Sequence, residues 1–344
     1  MASVRLSVPD RVRYFSQRAA WFAAGAAFGT VVGRATGVRR TPPSRATVLA
    51  LRTRLRALLE TDLRNVTLGH YPAELLTTSL STQIVRALPK LVRDAPLFAA
   101  RKRQNNFKDL PAHVELESFP PYYRRNFHWQ SDGYLSAASA SVYEASVELL
   151  FRGTADVMRR QAIPHLARLR SSGEPFHRLL DLGAGTGGML AMFARCFGGV
   201  HLDGVELSPF YAAEANRRLG ARAHVIAGNA ETLAATSGSY DAVTSVFMFH
   251  ELPRRARRNV LREALRVLRP GGLLVVADSS QYADAPELRE VLDAFPREFH
   301  EPYYLDYLSD SLPELVREVG FELVASESHM VSTVVAARKP RVTT

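Results

Sequence analysis

Apolar positions recur at helical spacing up to about residue 170 and change to short strand-like runs from residue 176 onward. Val48, Leu51, Leu55, Leu58 and Leu59 keep the three-to-four spacing of one helix face over 46–63. Further helical patches cover 73–88, 90–103 and 138–170, with Pro72, Pro89, Pro111 and Pro120-Pro121 expected to separate them. No alternating strand pattern precedes residue 176. A mainly helical region over 46–170 is therefore expected, with Arg170 to Pro175 linking it to a sheet.

From there the pattern reads strand, helix, strand. Apolar runs predict strands at 178–182, 201–206, 223–227, 241–247 and 272–278, with helices between them. Ser208-Pro209 opens one helix as N-cap and first residue, and Gly220 closes it. Pro270-Gly271-Gly272 is expected to end a helix over 254–269. Ser311 and Glu314 form a capping box for a helix that stops at Gly320. Two last strands, 321–328 and 331–338, are joined too tightly for a crossover helix and should pair antiparallel. The expected fold class is α/β: five parallel strands and a C-terminal antiparallel hairpin, seven in all, behind a helical N-terminal region.

Leu179-Leu180-Asp181-Leu182-Gly183-Ala184-Gly185-Thr186-Gly187-Gly188 carries the clearest chemistry. An apolar strand ends in an acid and then in glycines at alternate positions. Such a turn lets a ligand approach the backbone and aims the next helix's N-terminus at it. The spacing also fits a dinucleotide loop. Asp181 suits a cationic ligand end better than a pyrophosphate. Glu206, at the tip of the second strand, stands where a carboxylate accepts hydrogen bonds from ribose hydroxyls.

At 344 residues the chain should hold more than one structural part. The division expected is a basic arm over 1–45, the helical region over 46–170 and a cofactor-binding domain over 176–340. A single cysteine, Cys196, excludes a disulfide framework and a multi-cysteine metal site. The histidines show no metal-ligand spacing, so no metal is expected. Residues 1–59 hold eleven arginines and one acid, which accounts for the whole net charge of +10. The neutral remainder argues against a nucleic acid partner. Within the arm, the uncharged run Ala19 to Gly33 is short for a membrane span. It suits a helix packed on the protein, an interfacial helix on anionic lipid, or a targeting segment. A cytoplasmic location with membrane association is expected, organelle targeting remaining open.

The glycine loop, Glu206, the strand start Tyr240-Asp241-Ala242-Val243 and the segment Leu265-Arg266-Val267-Leu268-Arg269-Pro270-Gly271-Gly272 resemble class I S-adenosylmethionine-dependent methyltransferases. Within them the chain is similar to the group typified by ubiquinone and menaquinone biosynthesis C-methyltransferases. The likeness covers about 176–338. It implies S-adenosylmethionine as cofactor, with Asp181, Gly183, Gly185, Thr186 and Gly187 on its methionine and ribose side, and Glu206 with Leu207 at the ribose. Asn229 and Ala230 would lie at the adenine, where the family commonly has aspartate. An asparagine there also suits an Asx turn. Phe247 and His250, in Phe247-Met248-Phe249-His250-Glu251-Leu252, would run beside the sulfonium, with His250 able to take a proton from the acceptor. Asp278 ends the fifth strand. His300, Tyr303 and Tyr304 beyond it, and Tyr123, Trp129 and Tyr134 before the sheet, are candidate acceptor contacts or ordinary packing. The implied function is direct methyl transfer to a small apolar, aromatic or lipidic acceptor. The alternatives are a non-catalytic cofactor-binding or membrane-scaffold protein and a nicotinamide-dependent oxidoreductase.

Overall fold

The computed structural model describes residues 6–36, 42–77 and 80–341, with Arg5, Arg39 and Arg40 of the basic arm outside them. Helices α1 (Val8–Thr36), α2 (Arg45–Thr67), α3 (Leu80–Gln104), α4 (Ala137–Leu150), α5 (Ala155–Arg160) and α6 (Ile163–Ser171) precede the sheet. Then follow β1 (Arg178–Leu182), α7 (Gly188–Cys196), β2 (His201–Glu206), α8 (Pro209–Leu219), β3 (His224–Ala227) and β4 (Tyr240–Val246). The chain continues through α9 (Arg254–Val267), β5 (Leu268–Ser279), α10 (Arg289–Glu298), α11 (Tyr304–Ser309), α12 (Leu312–Val319), β6 (Glu322–His329) and β7 (Ser332–Arg338).

The strands form one seven-stranded sheet in the order β3-β2-β1-β4-β5-β7-β6. The first five run parallel, whereas β7 pairs antiparallel with both β5 and β6. Side chains one residue apart on a strand face opposite cores. Leu179, Leu273, Val275 and Ala277 join the cluster with α6, α7 and α8, while Leu180, Leu182, Leu274 and Val276 join that with α9 and α12. The strand order reverses between β1 and β4, which opens a crevice at their carboxyl ends.

Three expectations about elements are corrected. The helix over 254–269 ends at Val267, and Pro270 to Gly272 lies inside β5. There the β4–β5 register slips between Tyr240 and Ala242, with Gly271 at φ +75°, so the proline and glycine make a bulge in the strand. Pro89 does not separate two helices, because α3 runs through both Pro89 and Pro96. Its packing against α1 and α4 outweighs the local hydrogen bonds each proline removes. The patch over 138–170 is three helices. The chain breaks at Gly153 (φ +81°), where a Cβ would stand 2.2 Å from that of Trp21 on α1.

The run Ala19–Gly33 lies within α1, which buries Tyr14, Arg18 and Trp21 along one face. Among the described residues no helix is long and apolar enough to cross a membrane. The Tyr14 hydroxyl (2.7 Å) and the Tyr71 hydroxyl (2.5 Å) both donate to Asp62 of α2. Arg160 of α5 adds a two-pronged contact through Nε (2.9 Å) and Nη2 (2.6 Å). Both charges are fully buried. Arg160→Met would leave the carboxylate unpaired in the interior, and is expected to cost about 3–5 kcal/mol in guanidinium-unfolding stability.

Candidate functional site

The loop after β1 is held from below. The Gly183 and Ala184 N–H groups donate to the Val205 carbonyl at 2.9 and 3.0 Å. Gly183, Gly185 and Gly187 all have positive φ, a conformation that only glycine adopts without strain. A Cβ on Gly185 would meet nothing nearer than the Tyr143 ring at 3.9 Å, so the space above its backbone is open to a ligand. Gly187 serves packing: a Cβ there would press on Leu219 at 2.9 Å.

Glu206 is the fixed point of the cleft. Its Oε2 accepts from Gly185 N–H and its Oε1 from Ser208 N–H, both at 2.9 Å. The Tyr123 hydroxyl reaches Oε1 at 3.4 Å. Burial raises the Glu206 carboxyl above its ordinary value, against the opposing pull of these N–H groups. Leu207, Asn229, Ala230, Phe247, Tyr123 and Tyr134 line the same cleft with Gly183, Gly185 and Glu206. Asn229 also makes an Asx turn, its Oδ1 accepting from Glu231 N–H at 2.9 Å.

Asp181 and Thr186 lie beneath the loop. Asp181 accepts from the Thr244 hydroxyl (2.6 Å), and burial pushes its carboxyl up to about 7. Thr186 donates to Glu144 of α4 at 2.7 Å. Burial would raise the Glu144 carboxyl, but Arg159 and Arg218 outweigh it and hold it down at about 2. Glu144 and the cleft-lining Tyr143 were missed in the sequence. The available signal was a pair of acids, Glu144 and Glu148, four apart on an otherwise uncharged helix.

A second, apolar cavity of about 250 Å³ adjoins the cleft and shares Tyr143, Phe247 and Glu251 with it. Phe28 of α1, Leu91 and Phe98 of α3, Phe151, Phe295 and Phe299 supply its apolar walls. His250, His128 and Glu251 are among its polar lining, with Asp94, Arg152 and Arg159. His250 Nδ1 pairs with Asp278 Oδ1 at 2.7 Å, and the same carboxylate accepts from the Phe249 and Ser279 N–H groups. Burial opposes the imidazolium, but Asp278, helped by Glu301 and Glu251, outweighs it and lifts His250 to about 9. Tyr304 packs edge-on against His250 and contacts the Ser279 hydroxyl. Asp278 and Tyr304 thus stand behind His250, outside the linings of both cavities.

His128 Nε2 lies 3.0 Å from Glu301 Oε1 and 3.3 Å from Glu251 Oε1, which also accepts from the Tyr134 hydroxyl at 2.6 Å. Burial again opposes the charge, and the two carboxylates outweigh it to hold His128 at about 10. The three ligand atoms lie within 4.8 Å of one another, a spacing that a divalent cation can bridge. Positions so far apart in the chain gave no ligand spacing to read. The His128 imidazolium itself supplies countercharge to both carboxylates. Trp129, His300 and Tyr303 line neither cavity: His300 stacks on Phe107 and tilts against Trp129, and Tyr303 sits edge-on to Tyr122 under Arg125.

Residues 179–272 match a family described as a methyltransferase domain. A demethylmenaquinone methyltransferase of Beutenbergia cavernae is 32% identical over 194 residues, 54% of this chain and 77% of that protein. The ubiquinone/menaquinone biosynthesis C-methyltransferase UbiE of Methylobacterium nodulans is 36% identical over 136 residues, 38% of this chain and 52% of the relative. The 24-methylenesterol C-methyltransferase 2 of Oryza sativa subsp. japonica is 32% identical over 160 residues, 44% of this chain and 43% of the relative. The chain spans about half the length of these last two. A glycine loop over the β1–β4 crevice, a carboxylate at the tip of β2, and likeness along three-quarters of the demethylmenaquinone enzyme agree: the chain belongs to the class I S-adenosylmethionine-dependent methyltransferases, close to the ubiquinone/menaquinone C-methyltransferase group.

Proposed function

We propose that this protein methylates a lipidic acceptor whose flat or ring-bearing head enters the apolar cavity beside the cofactor cleft. The observation that carries the reading is the meeting of the two spaces at Phe247 and Glu251, with aromatic and aliphatic walls on the acceptor side. The cleft fits the cofactor. Glu206 keeps acceptor capacity for ribose hydroxyls beyond the two backbone bonds it already takes, and the Gly185 backbone is open to approach. When bound, S-adenosylmethionine supplies a methyl group that needs no further activation.

The protein's own residues then align the acceptor and exclude water. Phe247 stacks on Phe151 at 6.2 Å between ring centres and forms the wall common to both spaces. His250, charged at neutral pH and tethered through Nδ1, has Nε2 left to hold an oxyanion on the acceptor. The helical region over 46–170, together with α1, is read as the acceptor domain and 176–340 as the cofactor domain. Relatives named for demethylmenaquinone and 24-methylenesterol point to the same acceptor class. Delivery from a membrane surface follows, since α1 exposes Val8, Val12, Phe15 and Phe22 and the first 59 residues are strongly basic. Neutrality of the rest of the chain argues against a nucleic acid acceptor.

Methyl-labelled S-adenosylmethionine, incubated with the protein and an extract of the source cells, tests this. Label is expected in the organic phase, on a compound whose mass identifies it. Label confined to water-soluble compounds or macromolecules, or no transfer despite cofactor binding, would overturn the lipidic reading.

A further inference from the structure

We propose a second ligand site, for a phosphate-bearing anion, in the groove between α2, α6 and the turn joining β6 to β7. The groove holds about 350 Å³ and shares no residue with the cleft or the acceptor cavity. Arg54, Arg64 and Arg168 line it with His70 and His329, and Glu327 is the only carboxylate in its walls.

The three arginines differ in what they already hold. Arg54 is spent on Glu287, the Met330 carbonyl and the Ser328 hydroxyl. Arg64 donates to the Thr61 hydroxyl at 3.2 Å, and Arg168 lies 3.4 Å from His165 Nδ1. Among the described residues neither makes a salt bridge to a carboxylate. Two guanidinium forks on different helices therefore face one space with charge to spare. A tetrahedral oxyanion can accept from both at once.

The histidines around the groove tell the same story. His70 Nδ1 is taken by Asn65 Oδ1 at 3.2 Å, which leaves its Nε2. Burial and the charge of Arg168 hold His70 below its ordinary value. His165, buried behind the groove, has no hydrogen bond at Nε2 and lies 3.9 Å from Glu327 Oε2. Burial pushes it down to about 4; Glu327 opposes this and Arg168 adds to it. With Arg54 paired to Glu287, Arg64 and Arg168 against the single Glu327 carboxylate leave the groove lining net positive. Asn65, Gln161 and Thr61 add neutral polar groups, and the volume accommodates a diphosphate. Leu58 and Met330 of the groove wall belong to the apolar cluster that also holds Phe151 and Phe247, so the groove and the acceptor cavity back onto one cluster.

Calorimetric titration of the full chain with inorganic phosphate and pyrophosphate, at constant ionic strength and saturating S-adenosylhomocysteine, tests the site. Saturable pyrophosphate binding is expected, weakened at least tenfold in Arg64→Ala/Arg168→Ala. Arg56→Ala, an exposed residue paired with Glu60, is expected to leave it unchanged. Circular dichroism checks that the double variant keeps its fold, and Arg64→Lys/Arg168→Lys should retain part of the affinity if charge alone suffices. Binding seen only with phosphatidic acid vesicles, and lost in the same double variant, would also support the site and assign the phosphate to a lipid headgroup. No saturable binding to phosphate, pyrophosphate or the vesicles, or affinity unchanged in the folded double variant, would overturn it.

Discussion

Glu206→Ala is expected to raise the dissociation constant for S-adenosylmethionine by two orders of magnitude or more, with the protein still folded. The carboxylate sits at the tip of β2, nine-tenths buried, each oxygen already fixed by one backbone N–H. That fixation leaves its remaining lone pairs directed by the fold, so ribose hydroxyls meet an acceptor that needs no reorganisation. Hydrogen bonds to a charged group contribute roughly 1.5–3 kcal/mol each, and losing two implies a change of about 100-fold or more. Alanine also frees Gly185 N–H, which loosens the loop at the point of contact. Glu206→Gln keeps one carbonyl acceptor and should fall between, near tenfold, because its amide must turn N–H toward a backbone donor on one side. Calorimetry with the cofactor checks both variants. Affinity within threefold of the parent in the alanine variant would remove Glu206 from the ribose.

What the sequence makes readable is whatever depends on neighbours along the chain. The β1 loop, the β2 tip and the Ser208 and Ser311 caps are short patterns with one physical reading each, and the structure forms them at the expected residues. The C-terminal hairpin follows from a connection too short for a helix, and β6 and β7 pair as that length requires. The helical half resists such reading because its breaks are set by distant contacts. α3 continues through two prolines where α1 and α4 pack on it, and the chain turns at Gly153 because Trp21 of α1 presses there. The acceptor side fails for the same reason. His128, Glu251 and Glu301 come from three separate segments, and Glu144 reaches the glycine loop from α4. Aromatic composition alone could not separate Tyr134, which faces the cleft, from Tyr303, which packs under Arg125.

His250→Ala is expected to lower kcat by roughly two to three orders of magnitude, in the range of positioned acid–base and oxyanion-stabilising groups, with cofactor affinity changed less than threefold. The pH dependence separates the two roles open to this side chain. The Asp278 carboxylate, 2.7 Å from Nδ1, with Glu301 and Glu251 beyond it, overcomes the burial cost and places the folded-state value at about 9, above the ordinary histidine value. The imidazolium is therefore present at neutral pH and is lost as pH rises through about 9. An oxyanion-holding role predicts activity that is level from pH 7 to 8 and falls beyond 9. A proton-accepting role predicts the reverse, a rise toward pH 9. The same sign governs stability: the pairing's contribution is complete below the unfolded histidine value and disappears as pH climbs through the folded one. Asp278→Asn removes the nearest countercharge and leaves only Glu301 and Glu251 to oppose burial, so the His250 value should fall. The activity limb should then move to acid pH while cofactor affinity holds. Rate profiles of the parent and Asp278→Asn, with histidine resonances followed by NMR, measure both shifts. An alkaline limb that stays in place when Asp278 is replaced would mean that His250 does not carry the charge the acceptor meets.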